Sequence, residues 1–187
     1  MDPSAKLSLR KLSIEGGTTP GLVGGILNGG TLELRAVTLR SNTADNGGGL
    51  AVSSGATATV SKSSLILNNT TGVGGSAFIN SGVITVKKSM IANNVAPING
   101  GGVNTQSSGE TTVVDSTVQF NTSGSLGGGL SNLGTTTIER CLITRKTGSA
   151  GGAIATGNAQ VTIERSVMFE NTPDNCSPLN TIAGCLD

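Results

Sequence analysis

Glu139 and Glu164 are the residues whose type and spacing come nearest to chemistry. Each directly follows an aliphatic residue, Ile138 and Ile163, and Asp115 sits one position further along in the preceding stretch, after Val113 and Val114. Carboxylates on neighbouring strands could stand about 5–5.5 Å apart, the separation of the two carboxyl groups in a retaining glycosidase. A carbohydrate-active enzyme, hydrolase or lyase, is therefore one reading of this triad. Against it, Arg140 and Arg165 follow the two glutamates, and earlier stretches of the same lane read Arg10-Lys11, Arg35 and Lys87-Lys88. The plainer reading is a solvated face on which arginines relieve like charges. A polysaccharide lyase would more usually carry several acidic calcium ligands beside an Arg or Lys base, and aspartates are sparse here.

A second lane is more regular. Ser8, Glu33, Thr59, Thr85, Thr112, Thr137 and Thr162 each precede an inward aliphatic anchor by one residue, so in a strand they point outward. Thr59, Thr85, Thr112, Thr137 and Thr162 would form an evenly spaced row of hydroxyls and methyls, a candidate binding face. Ice-binding β-helices use such rows, generally as two flat ranks. The companion rank, Thr31, Thr57, Val83, Glu110, Thr135 and Gln160, is incomplete. Strand propensity on an exposed face accounts for the row equally simply.

Other chemistry is thinly provided. With no histidine, Ser/His and Cys/His triads and imidazole metal sites are excluded. No G-x-x-x-x-G-K-[ST] occurs, and the glycine pairs recur too regularly to be phosphate cradles. Of three cysteines, Cys141 stands where a small serine recurs (Ser63, Ser89, Ser116, Ser166) and reads as buried. Cys176 and Cys185 lie nine residues apart in the tail and suit a disulfide closing a C-terminal cap, which implies an oxidising compartment. Metal is the weaker alternative, since two cysteines without histidine cannot complete a zinc site. No cofactor is expected.

The elements that must position these residues come from an internal repeat. The anchors Leu9, Leu34, Val60, Val86, Val113, Ile138 and Ile163 recur at steps of 25, 26, 26, 27, 25 and 25 residues. A unit this short cannot bury its own apolar face, so it must stack on its neighbours as a solenoid. Each unit carries an alternating β-branched run. A small residue, an aliphatic residue and then an asparagine come next, and a glycine pair before an apolar residue closes the unit. Three short strands per turn, with glycine supplying positive-φ corners, describe a parallel β-helix. Asn42, Asn68, Asn94, Asn121 and Asn171 hold one corner and are expected to form a structural amide ladder, which Lys146 interrupts. Seven coils at about 4.8 Å make a rod of roughly 33 Å. No window shows the long apolar 3.6-residue period of helical repeats.

Composition agrees with one elongated domain: coils over 1–171 and a cap segment over 172–187. Aromatics are 2% and charged residues 12%, so stacked Val, Ile and Leu must replace aromatic packing. A net charge of +1, with no Trp or Tyr, offers neither a basic field nor a stacking platform for nucleic acid. No apolar run approaches the 18 residues a membrane span needs. No signal peptide or polar N-terminal cap is visible, so the chain reads as a piece of a larger protein whose signal lies upstream.

Gly151-Gly152-Ala153-Ile154 and Gly127-Gly128-Gly129-Leu130 alternate with apolar-x-x-Asn, as in Leu39 to Asn42, Ile91 to Asn94 and Met168 to Asn171. This resembles the GGAI and FxxN repeats of chlamydial polymorphic outer-membrane proteins. It is still more similar to bacterial β-helix domains of the CSLREA and choice-of-anchor type, whose ending Pro173-Asp174-Asn175-Cys176-Ser177 also resembles. The chain departs from the chlamydial pattern where Leu, Ile, Val or Met replaces Phe, at Lys146, and at Gly74-Gly75-Ser76-Ala77, where the apolar residue shrinks. The resemblance implies a right-handed parallel β-helix, secreted or on the cell surface, acting as a rigid passenger or adhesin-like stalk. Its implied partner is a surface ligand, a carbohydrate or a host protein, and a monomer is expected.

Overall fold

The computed structural model describes residues 1–157, 160–178 and 182–185 of the 187. The chain is all β and coils about seven times into a stack of parallel sheets, with no helix among the described residues. None is therefore long and apolar enough to cross a membrane. The first sheet has seven five-residue strands: Lys6–Arg10, Thr31–Arg35, Thr57–Ser61, Val83–Lys87, Glu110–Val114, Thr135–Glu139 and Gln160–Glu164. Its register pairs every anchor with the next, Leu34 with Val60, Val60 with Val86, Val113 with Ile138. A second seven-stranded sheet carries the aliphatic residues before the ladder, and another the residues after the glycine pairs.

The unit has one element more than three strands. Two-residue strands Thr43–Ala44, Asn69–Thr70, Val95–Ala96 and Thr122–Ser123 form a separate four-stranded sheet just after the ladder corner. The interior is filled by matched inward residues from the long sheets, such as Leu34, Leu39 and Leu50, or Val86, Ile91 and Val103, all at most 1% exposed. The coil at Gly74-Gly75 corrects the expectation that its apolar residue shrinks. Phe78, not Ala77, stands in register with Leu50 and Val103 and is fully buried.

One corner meets the expectation of glycine, with Gly75, Gly100, Gly127 and Gly151 at φ of 58° to 81°, and two others do not. The residue between first and second sheets has φ of 48° to 54° in every coil, yet it is Lys11, Ala36, Lys62, Lys88, Asp115, Arg140 or Arg165. The corner before the ladder does the same with Ser41, Leu67, Asn93, Phe120, Arg145 and Glu170. A left-handed residue with a Cβ costs roughly 1–2 kcal/mol, and single residues tolerate it where the surrounding structure over-determines them. Most paired glycines serve close approach instead. A Cβ on Gly25 would lie 2.2 Å from the Gly49 carbonyl oxygen of the next coil.

The asparagine corner is the ladder the spacing implies. The Asn42 side-chain amide donates to Asn68 Oδ1 at 3.1 Å, Asn68 to Asn94 at 3.1 Å and Asn94 to Asn121 at 2.8 Å. Each side chain also donates to a carbonyl of the coil before, as Asn121 does to Ile91. At Lys146 the amide pairing stops but the position stays filled: its Nζ donates to the Val118 and Thr144 carbonyls, and its backbone N–H donates to Asn171 Oδ1 at 3.1 Å. Of two further interior lanes, the asparagine one escaped the sequence reading and the serine one showed there only as a recurring small residue. Asn28, Asn80 and Asn132 sit fully inside, bonding loop amides and neighbouring carbonyls. Ser63, Ser89 and Ser116 form a hydroxyl ladder, each Oγ accepting from the backbone N–H one coil earlier. A serine three residues past Val60, Val86, Val113 and Ile163 was its signal.

At the C-terminal end Cys176–Ser177 adds a strand beside Ile154–Ala155, so part of the expected cap continues a sheet. Cys176 and Cys185 form a disulfide with Cα atoms 6.3 Å apart. Ile182 is buried and Cys185 packs against the core. Residues 179–181 and 186–187 of the expected cap lie outside the described residues.

Candidate functional site

Glu139 and Glu164 end neighbouring strands of the first sheet and are register partners, and Asp115 occupies the corner just past Val114, the partner of Glu139. The sheet thus brings the three acidic candidates together as their spacing implies. What surrounds them is a chain of alternating charge. Arg140 clasps Asp115 through Nε at 2.6 Å and Nη2 at 3.3 Å, and also contacts Glu139. Arg165 meets Glu139 at 2.7 Å and Glu164 at 3.8 Å.

The electrostatics oppose acid catalysis by Asp115. The guanidinium hydrogen-bonded to it holds its carboxyl below the ordinary range, and Asp115 in turn holds Arg140 above its own. A general acid at neutral pH needs the opposite shift. Two depressions on this side lie over the first four coils and take in none of the three acids. Surface ion pairs of this kind contribute little to stability and chiefly order the side chains.

The threonine row is a true row. Thr59, Thr85, Thr112, Thr137 and Thr162 pair in register from coil to coil, with Glu33 before them. The first four are half-buried between flanking side chains and Thr162 is exposed. The flanks mix Glu110, Val83, Lys87 and Glu139, so the face is not uniform.

No family model, no curated protein and no solved structure matches the chain.

Two further reactive groups point inward. Cys141 is the one free thiol, 4% exposed, and burial pushes its pKa up. Its Sγ lies 3.3 Å from the Val113 and Glu139 carbonyl oxygens, as a core serine would. Lys146 is 1% exposed, and burial pushes its amine down to about 6. A neutral amine is nucleophilic in principle, but this one is spent on two carbonyls inside the rod. Among the described residues no three His, Cys, Asp or Glu side chains gather as a metal site would require.

Proposed function

We propose that the chain is a non-catalytic β-helical rod, a secreted or cell-surface passenger domain of the adhesin-like kind. The observation that carries this reading is the charge chain at the acidic candidates. Asp115 and Glu139 are tied to Arg140, and Glu139 and Glu164 to Arg165, at the ends of neighbouring strands and the corners beside them. Carboxylates so paired hold ground-state ion pairs rather than a reacting atom. The disulfide between Cys176 and Cys185 favours an oxidising compartment, hence the outside of the cell. The stacked interior favours rigidity, because backbone bonds join the coils and the amide and hydroxyl ladders reinforce the middle ones.

The test is incubation of the purified chain with polygalacturonate, alginate and β-glucans, following reducing ends and unsaturated uronates. The rod reading expects neither. Release of either product, abolished by Glu139→Gln, would replace it with the carbohydrate-active enzyme.

A further inference from the structure

The lane that carries Glu139 and Glu164 is built differently in the first four coils. Arg10 stands in register with Arg35, and Lys87 comes after Ser61. The corners beside them carry Lys11, Lys62 and Lys88. Like charges on neighbouring strands repel. In the last three coils the lane reads Val114, Glu139 and Glu164 beside the corner residues Asp115, Arg140 and Arg165, and each of these acids and arginines has an ion-pair partner. In the first four, Arg10 meets Glu33 at 3.2 Å, while Lys11, Arg35, Lys62, Lys87 and Lys88 make no ion pair among the described residues. Lys88 neighbours Asp115, whose two oxygens are both taken by Arg140.

A shallow concavity of about 320 Å³ opens here, lined by Arg35, Lys62, Lys87 and Lys88 together with the hydroxyl residues Thr59 and Ser61. Glu33, also on its wall, is already held by Arg10 and Ser8. A second depression shares Arg35 and continues to Arg10 and Lys11. The field is local to this end of the rod. Residues 1–96 carry eight Lys and Arg against four Asp and Glu, and residues 97–187 carry four against seven.

We propose that this basic half of the lane binds an acidic polysaccharide, one whose carboxylate or sulfate groups recur along its length. The cations repeat from coil to coil at the parallel-strand spacing of about 4.8 Å, so the surface suits an extended ligand rather than a single ion. Lys and Arg supply charge-assisted hydrogen bonds to such groups, and Thr59 and Ser61 supply partners for sugar hydroxyls. A bound polyanion would relieve the repulsion that the protein leaves unrelieved here and relieves itself in the last three coils. With no Trp or Tyr, the face offers neutral sugars and nucleic-acid bases no stacking platform, so charge must select. The inference rests on the rod reading only for the fate of the bound polymer, which is held and not cut.

The test is affinity electrophoresis of the full chain in polygalacturonate, dextran sulfate, uncharged dextran and single-stranded DNA, at low and physiological salt, with polymer length measured before and after. An acidic polysaccharide should retard the protein, less so as salt rises, and dextran should not; the tighter of the two acidic polymers names carboxylate or sulfate as the group recognised. Lys62→Gln/Lys87→Gln/Lys88→Gln should weaken binding by about tenfold or more, and Arg35→Gln alone by severalfold, each with an unchanged melting midpoint. Arg40→Gln, on the second sheet, should change it by less than about twofold. Retardation by neither acidic polymer, or equal loss with Arg40→Gln, overturns the site and leaves the non-catalytic reading standing. DNA bound as tightly as either glycan, and lost in the same variants, overturns the choice of polysaccharide. A bound polymer that shortens keeps the site and overturns the non-catalytic reading.

Discussion

Four hydrogen bonds meet at the Asn94 side chain. Its Oδ1 accepts from the backbone and side chain of Asn68 at 2.9 and 3.1 Å, and its Nδ2 donates to Leu65 and Asn121 at 3.0 and 2.8 Å. Truncation leaves those donors and acceptors buried without partners. Asn94→Ala should therefore cost about 1–3 kcal/mol. Asn99→Ala should cost far less, because its Oδ1 is buried with no partner among the described residues to lose. Urea midpoints compare the two, and equal shifts would mean the ladder carries nothing. Lys146 makes the complementary case in the same ladder. Burial holds its amine at about 6, against 10.5 for a free lysine. Between those values the unfolded chain binds a proton that the folded chain does not. Its contribution to stability therefore falls as pH drops through that window, by up to about 1.4 kcal/mol per unit, and is flat below about 6, where both states are protonated. Lys146→Asn should restore the amide pairing and remove that slope. The stability gap between variant and wild type should thus widen from pH 10 to pH 7, and a constant gap would contradict a buried, neutral amine.

The corners and ladders are where element geometry and residue identity part company. Ala36 holds φ of 54° on the exposed side of its turn. Alanine there bears roughly 1–2 kcal/mol of left-handed strain, against about 0.5–1 kcal/mol of extra chain entropy lost by glycine. Ala36→Gly should accordingly leave stability unchanged or raise it by up to about 1 kcal/mol in thermal unfolding, and a clear loss would mean the corner is not strained. That corner also marks the limit of what the sequence made legible. The anchors, the long sheets, the asparagine ladder, the threonine row and the disulfide could be read because each repeats a distinctive residue type at the coil spacing or stands apart from it. The left-handed corners could not, since Lys11, Asp115 and Arg165 share no local signal for positive φ. The two-residue strands could not, since Thr43–Ala44 is too short to show a period. Phe78 was missed because Gly74 and Gly75 precede the position the other glycine pairs occupy, shifting the apparent register. The acidic cluster was located correctly, but only coordinates show Arg140 taking both oxygens of Asp115.

At the scale of the whole molecule, the rod separates two tasks. Its interior spends apolar residues, amides and hydroxyls on holding coils together, including Cys141 and Lys146, which elsewhere could react. Its surface lane is left to charge, with cations in excess at one end and acids tied to arginines at the other. A secreted or surface-displayed β-helix is the central claim, and its cysteines report on register and compartment at once. The most direct measurement is mass spectrometry of an unreduced digest of the protein taken from its own cells and alkylated while folded. The account predicts a peptide joining Cys176 to Cys185, with Cys141 unmodified until the protein is unfolded. Alkylated Cys176 and Cys185 would place the chain in a reducing compartment, and any crosslink through Cys141 would put that side chain outside the core and contradict the coil register itself.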